Sequence, residues 1–327
     1  MAESSFFQSH HTLIRNLAFF LSLFFVSSWL LAEQEPLQKS PVVIVSYNVE
    51  NYLPMPRWVN GRFRNNAGKP ESEKQAVAAI LSKLHPDIVG VMEIGDLRQV
   101  HDLERHLHEV GLDYPYQEYL HAWDQERHLL LLSRFPFIEC HSQAIVPLSI
   151  NGKVEHSPRG ILDVTVALRP DYTLRLLCIH FKSKISVPNY DQDFFRSAEA
   201  LYLQNYVNAI MASDPKTHLL VMGDFNDTKN SKPLLTLLGK PQKPELLHAL
   251  NLTDDRGESW TEYWKEADLY SRIDYMLINE ELEPSIVHEH SGIARPAGWK
   301  EASDHCALFT EIVPQVNALP TPHPSPL

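Results

Sequence analysis

Apolar residues in this chain gather into short runs that end in polar ones, and stretches of helical spacing separate the runs. Val42-Val43-Ile44-Val45-Ser46-Tyr47-Asn48 reads as a buried strand reaching polar residues at its end. Asp87-Ile88-Val89-Gly90-Val91-Met92-Glu93 repeats the pattern and closes on a carboxylate. Leu129 to Leu132 runs into Ser133-Arg134-Phe135-Pro136 as strand then turn. Ile161 to Leu168 and Thr173 to Ile179 flank the turn Arg169-Pro170-Asp171 and predict an antiparallel hairpin whose second strand ends at His180. The run from His218 to Asp227 is a further buried strand, with Gly223 letting the backbone turn at the rim. In an extended backbone Asp224 and Asn226 point to the same side. Ile273, Tyr275, Leu277 and Ile278 give a strand carrying Asp274, and Cys306 to Ile312 a last one after Ser303-Asp304-His305.

Between these strands, Val77, Ile80, Leu81 and Leu84 form the apolar stripe of a helix that Glu71 and Glu73 favour at its start and Pro86 ends. Val100, Leu103, Leu107 and Val110 mark a second helix closed by Gly111, and Leu203, Val207, Ile210 and Met211 share a face of a third over about 196–211. Pro54 to Pro70 reads as a loop carrying Arg57, Arg62, Arg64 and Lys69 without an acid, either a phosphate-facing surface or ordinary solvated charge. Residues 229–270 are polar and proline-containing and yield no assignment. Two helix-and-strand halves predict an α/β domain over residues 41–313 in which two sheets stack with helices outside.

Composition adds an address. Leu17 to Ala32 carries no charge and follows Arg15, so residues 1–32 read as a secretory leader ending at Ala32 or Ser28. About 16 uncharged positions are short for a spanning helix, which needs ~20; an uncleaved anchor is the alternative. Residues 33–40 then form a linker, and the proline-rich stretch 314–327 is expected to be disordered. The expected location is secreted or periplasmic. The chain is 44% hydrophobic with a net charge of −12, which is globular composition and unlike a nonspecific nucleic-acid binder. A polyanionic substrate stays compatible with it through local fields and bound cations. Cys140, Cys178 and Cys306 do not make a disulfide scaffold, and Cys178 reads as a small core residue.

Six strand ends offer Asn48, Glu93, His180, Asp224 with Asn226, Asp274, and Asp304 with His305. Polar groups at the same ends of buried strands converge on one rim, where clefts form. Their types suit phosphate-ester hydrolysis. Mg2+ takes oxygen ligands, which Glu93, Asn48 and Asp304 supply. A histidine can neutralise charge building at phosphorus, and a carboxylate can orient or deprotonate water. Ser303-Asp304-His305 invites a triad reading, but adjacent residues on a strand alternate faces and cannot form that relay. Asp274 beside Arg272 could instead be a structural ion pair.

Ser-Tyr-Asn-Val-Glu-Asn, Asp-Ile-Val-Gly-Val-Met-Glu, His-Phe-Lys-Ser-Lys, Gly-Asp-Phe-Asn-Asp, Ser-Arg-Ile-Asp-Tyr-Met-Leu and Ser-Asp-His stand in the order of the endonuclease/exonuclease/phosphatase superfamily. The chain resembles its secreted bacterial, deoxyribonuclease I-like members over roughly residues 41–312. The resemblance implies a four-layer α/β sandwich, two mixed β-sheets packed face to face with helices outside, and Mg2+- or Mn2+-dependent phosphoester cleavage. It implies Glu93 as main metal ligand with Asn48 and Asp304. It makes Asp224 the group that positions or deprotonates water and Asn226 its partner on water and phosphate. His305 would contact the scissile phosphate, oriented by Asp274; His180 would be a second active-site histidine, loosely matched with Glu126, and Arg159 a phosphate contact. Trp299, flanked by Arg295 and Lys300, is a candidate grip for a nucleotide or headgroup.

The function expected is an exported phosphodiesterase of nuclease type acting on DNA or RNA. The alternatives are the same chemistry on inositol phosphates, sphingomyelin or small nucleotides, and a silent binding module. A monomer is expected, no protein partner is implied, and membrane contact follows only from an uncleaved leader.

Overall fold

The structure is a computed structural model that describes residues 41–59, 61–185, 191–240, 243–244 and 246–315. The expected leader, the linker and all but the first two residues of the expected tail lie outside the described residues. In chain order the main strands are β1 (Val42–Tyr52), β2 (Ile88–Ile94), β3 (Tyr116–Leu120), β4 (His128–Ser133), β5 (Phe137–Cys140) and β6 (Leu162–Arg169). They continue with β7 (Tyr172–His180), β8 (Leu219–Asp224), β9 (Leu247–Ala249), β10 (Asp274–Asn279), β11 (Ile286–Ala294) and β12 (Ala307–Ile312). These form two six-stranded sheets of order β11-β12-β1-β2-β4-β3 and β9-β10-β8-β7-β6-β5.

Each sheet is mixed, with one parallel pair among antiparallel ones: β1 with β2, and β7 with β8. A parallel pair needs a long crossover, and a helix occupies each. α1 (Glu71–Leu84) joins β1 to β2, α2 (Leu97–Glu109) follows β2, and α3 (Gln192–Ser213) joins β7 to β8. The shorter α4 (Lys232–Leu238) and α5 (Trp299–Ala302) follow. α1 starts on its two glutamates and ends at His85 in a left-handed conformation. α2 starts in a capping box built by Asp96 and Gln99.

The second sheet is buried on both faces. Leu176, Cys178, Leu220, Met222, Met276 and Ile278 face the first sheet, whereas Leu177, Ile179, Leu219, Val221, Tyr275 and Leu277 pack on Leu203, Val207 and Ile210 of α3. That double burial is why its strands read as unbroken apolar runs. α1 and α2 bury Val77, Ile80, Leu81, Val100, Leu103 and Leu107 in the first sheet's core, which completes the four layers. Each such side chain contributes about 1.5–3 kcal/mol by leaving water. A Cβ on Gly90 of β2 would lie 2.6 Å from Met222 Cε and 3.0 Å from Cys178 Sγ, so glycine lets the two sheets approach there. All three cysteines are free, and Cys178 is the core residue its context suggested.

Several segments differ from the sequence reading. The expected loop Pro54 to Pro70 contains a hairpin, Met55–Val59 with Arg62–Ala67. Gly61 takes φ +72° in its turn, and the Asn60-Gly61 pair is the signal that marks it. Its cations are divided. Arg57 donates to the Asn51 and Leu53 carbonyls and buried Lys69 to the Glu50 carbonyl, while Arg62 and Arg64 are exposed. A second hairpin, Pro147–Ile150 with Lys153–His156, also turns on an Asn-Gly pair, Asn151-Gly152. The unassigned stretch 229–270 holds α4, β9 and a small hairpin, Glu262–Trp264 with Leu269–Ser271.

Candidate active site

The sheet registers place the expected residues on one rim. His180 pairs with Asp224 across β7 and β8, and Asp224 with Asp274 across β8 and β10, so the three side chains stand in one row. They continue the inward parity of Cys178, Met222 and Met276. In the first sheet Asn48 pairs with Met92, and Ser46 with Leu308 just beyond Asp304 and His305. Strand order and direction alone therefore gather six distant segments at one edge of the sandwich.

Regular alternation would turn Glu93 away from the face its neighbour Met92 points to. The ladder instead shifts register between Met92 and Ile94, and Glu93 adopts φ +65°. β1 shifts register opposite it, between Asn48 and Tyr52, with Glu50 at φ +46° and Asn51 at +48°. Bulges re-aim side chains, and these bring Glu93 to the site. Its Oε2 accepts the Asn51 N–H at 2.8 Å and its Oε1 lies 3.5 Å from Asn48 Nδ2.

Asp224 Oδ2 is the hub. Asn48 Nδ2 donates to it at 3.1 Å and Asn226 Nδ2 at 3.3 Å, while His180 Nε2 lies 3.6 Å and His305 Nε2 3.8 Å away. Asn226 reaches it through a turn, not an extended strand: its φ is +50° and its N–H donates to Asp224 Oδ1 at 2.7 Å. Asn226 Nδ2 also donates to the Phe181 carbonyl at 2.9 Å. Asn48 is likewise fixed, its oxygen accepting the Glu50 N–H at 3.0 Å. Gly223 does not turn the chain out of the strand, for it stays in register with Ile179 and Tyr275; glycine is needed there because its φ is +144° and a Cβ would collide with the Ile179 carbonyl.

His305 Nδ1 lies 2.8 Å from Asp274 Oδ2, and both are buried. Asp274 is thus the histidine's partner and not that of Arg272, which binds the Leu250 carbonyl at 3.0 Å. Thr261 Oγ1 accepts the N–H groups of Ile273 and Asp274 at 3.1 Å and so holds that strand end, a role no sequence pattern announced. The buried Ser303 hydroxyl donates to the Asn48 carbonyl at 2.8 Å and accepts the His305 N–H at 3.0 Å, so it is engaged in holding the chain and is not bound to the imidazole as a triad serine would be.

Electrostatics separates the two histidines. Burial disfavours the His305 cation, but Asp274, Asp304 and Asp224 outweigh it and raise its pKa well above the ordinary value. Burial and the charges of Arg159 and His305 push His180 well below it. Burial, then Asp274, raise Asp224 well above the usual carboxylate range. His305, whose surroundings favour its cation, and His180, whose surroundings favour its neutral form, therefore lie within 3.8 Å of a carboxylate of increased basicity, the division of labour that acid–base chemistry needs.

Arg159 is buried, with Nη2 3.1 Å from Asp124 Oδ2 and with Nε and Nη1 lacking any partner. Glu126 does not reach His180; its carboxylate pairs with Arg127 at 3.0 Å at the surface. Trp299 is buried against Trp260, and Arg295 is spent on Asp254 and Glu258 at 2.7 and 2.6 Å, so neither forms the expected grip. Lys300 lies 3.9 Å over the Tyr263 ring. A cleft of about 1050 Å3 opens from Glu50 and Asp304 between α1, α5 and Tyr263.

Two groups in the site bear on a metal. Asp224, Asp274 and His305 bring one ligand atom each within 4.8 Å of one another and could hold an ion. Their atoms are already engaged, however, His305 with Asp274 and Asp224 with two carboxamides. Glu50, missed by the sequence reading, neighbours Asp304, which in turn feels the Glu93 charge. Its Oε2 accepts the Asp304 N–H at 3.1 Å, and burial with the Asp304 charge raises it to about 7. Burial and the Glu93 charge raise Asp304 in turn, against His305. These carboxylates stand at a half-open rim, the Glu50 and Asp304 side chains 41% and 42% exposed, and their oxygen-only donor chemistry suits a hard divalent cation.

The sequence model of the Endonuclease/Exonuclease/phosphatase family matches residues 45–305. No curated protein matches the chain in sequence. Among solved structures, the human Nocturnin catalytic domain with bound sulfate anion is similar at 16% identity and TM-score 0.57, covering 83% of this chain and 93% of that one. TDP2 from Caenorhabditis elegans matches at 15% identity and TM-score 0.57, over 85% of this chain and 76% of its own. Beta toxin from Staphylococcus aureus matches at 15% identity and TM-score 0.55, over 82% and 99%. At these identities the likeness is one of fold.

Proposed function

Because this chain belongs to the endonuclease/exonuclease/phosphatase family, a family of phosphoester hydrolases, we propose that it is a metal-dependent phosphodiesterase cutting nucleic acid by in-line attack of water. The observation that carries the reading is the surround of Asp224 Oδ2, on which two carboxamides and two histidines of opposite charge preference converge within 3.8 Å. Asp224 takes the water's proton, its basicity increased by burial. Asn226 orients water and phosphate. His305, held by Asp274, faces the phosphoryl oxygens as a cation and offsets the charge that builds there. Neutral His180 donates a further hydrogen bond, and Arg159, whose Nε and Nη1 lack a partner, lends its charge to the phosphate. Glu93, Glu50 and Asp304 would hold Mg2+ or Mn2+, with Asn48 tying Glu93 to Asp224 and completing the set. The ion would polarise the phosphoryl group and steady the leaving oxygen. Export through the leader, and a monomeric state, belong to the same proposal.

The test is a substrate panel of plasmid DNA, RNA, sphingomyelin and inositol phosphates with Mg2+, and Asp224→Ala and His305→Ala as controls. Cleavage of DNA or RNA that both substitutions abolish, and that weakens with salt, is expected. Turnover of the lipid or inositol substrates alone overturns the nuclease assignment, and no turnover at all overturns the enzymatic one.

A further inference from the structure

We infer that a base-binding subsite adjoins the phosphate site: a pocket of about 250 Å3, lined by Trp123, His156, Pro158, Lys182 and Gln192, that takes the planar base of a nucleotide. The inference rests on the phosphodiesterase reading only for the phosphate that joins the base to the site.

Trp123 is 62% exposed, although it stacks on His156 with ring centroids 4.6 Å apart and planes 11° from parallel. One face is covered by the imidazole, and the exposure belongs to the other. An open tryptophan face stacks nucleobases of any sequence. Across the pocket Gln192 is 7% exposed, yet neither its Oε1 nor its Nε2 has a hydrogen-bond partner. Buried amides are ordinarily satisfied, so this one awaits a group that donates and accepts side by side. The edge of a base does that, and a carboxamide reads it with two bonds.

The pocket lies near the site, since the charges of Arg159 and Lys182 both act on His180. Trp123 precedes Asp124, whose N–H donates to the Pro158 carbonyl at 2.7 Å and whose carboxylate holds Arg159 at 3.1 Å. Lys182 follows His180 by two residues on the same strand end. A nucleotide would set its phosphate on Arg159 and Lys182 and its base on Trp123. Lys182 on the pocket wall disfavours a quaternary ammonium headgroup, although the acidic Glu155 lines the pocket as well. The subsite therefore selects nucleotides over choline phosphoesters.

Isothermal titration calorimetry of the full chain, with divalent metal removed so that nothing turns over, would compare adenosine 5′-monophosphate, ribose 5-phosphate and phosphocholine. The nucleotide should bind about tenfold tighter than ribose 5-phosphate, the lower end of what one stacked base supplies. Trp123→Ala should erase that preference, Trp123→Phe should keep most of it, and Gln192→Ala should weaken the nucleotide alone. Equal affinities in the wild type, a preference that survives Trp123→Ala, or phosphocholine binding as tight as the nucleotide overturns the inference. Failure of the two readings is separable. A protein that binds the nucleotide through Trp123 but cuts no nucleic acid refutes the nuclease assignment and leaves the subsite standing. One that cuts DNA while ignoring the base in titration refutes the subsite alone.

Discussion

Replacing Asp274 by Asn keeps the side chain's shape and removes one charge from a site where charge sets every role. Its Oδ2 lies 2.8 Å from His305 Nδ1, with the residues 2% and 5% exposed, so solvent cannot take over the interaction. A hydrogen bond to a charged group in such a place is worth about 1.5–3 kcal/mol. If the bond serves the transition state, kcat/KM on a phosphodiester should fall by about ten- to a hundredfold. The pH profile gives the sharper reading. Asp274 is the largest influence sustaining the His305 cation against burial, so its loss moves the alkaline limb to lower pH. After burial, Asp274 is also the largest cause of the raised Asp224 pKa, so the acid limb moves to lower pH as well. The whole profile should slide toward acid, which a merely unfolded fraction cannot produce. The assay is hydrolysis of bis(p-nitrophenyl) phosphate across pH at saturating Mg2+, with circular dichroism to confirm folding. An unmoved profile, or a loss well under about tenfold, would refute the assignment of Asp274.

Three further outcomes are expected. Glu93→Gln and Glu50→Gln should each weaken Mn2+ binding by about tenfold or more, measured by calorimetry, whereas Asp274→Asn should not; the reverse pattern would put the ion in the Asp224/Asp274/His305 group. Gly90→Ala should lower stability by about 1–3 kcal/mol in urea melts, because its Cβ meets Met222 and Cys178, and shortening Met222 to Val in the same chain should recover part of the loss. His128 is buried without a partner for Nδ1, and burial, then the nearby His121, lower its pKa to about 4. Between its unfolded pKa of about 6.5 and 4 the unfolded chain takes up a proton the folded one refuses, so stability declines as pH falls through that window, by up to ~3 kcal/mol. His128→Gln should flatten this decline, and equal slopes for the two proteins would discount the histidine.

The parts of the fold that were legible are those where burial decides. Strands β1, β2, β7, β8 and β10 lie between two covered faces, and their apolar runs announced them together with the polar residues at their ends. The hairpin β6–β7 and helices α1, α2 and α3 were legible for the same reason, since periodicity records which face is covered. Edge strands such as β3, β5 and β9 are short and half-covered, so their sequences carry little alternation to read. The two Asn-Gly hairpins carry their signal in turn chemistry and not in apolar periodicity, since their strands are short and largely exposed.

The site divides along another line. His180, Asp224 and Asp274 follow from regular pairing, because a register of matched strand ends and a period of two suffice to set them in one row. Glu50, Asn51, Glu93 and Asn226 do not. They make up four of the seven described non-glycine residues with positive φ, and each departs from the geometry on which pattern reading depends. Left-handed backbone at such residues costs about 1–3 kcal/mol and persists only where the surroundings over-determine it. Here the surroundings are two sheets whose central strands end together, with Asn48, Asp224 and the Asn51 N–H clamping the displaced groups. The sandwich supplies the stability, and the rim spends a small part of it on turning Glu93 inward and raising Glu50 and Asn51 beside it. That is why Glu93 could be placed from its motif, while Glu50, two residues past Asn48 on what reads as the same strand, became visible only once the bulge had re-aimed it toward Asp304.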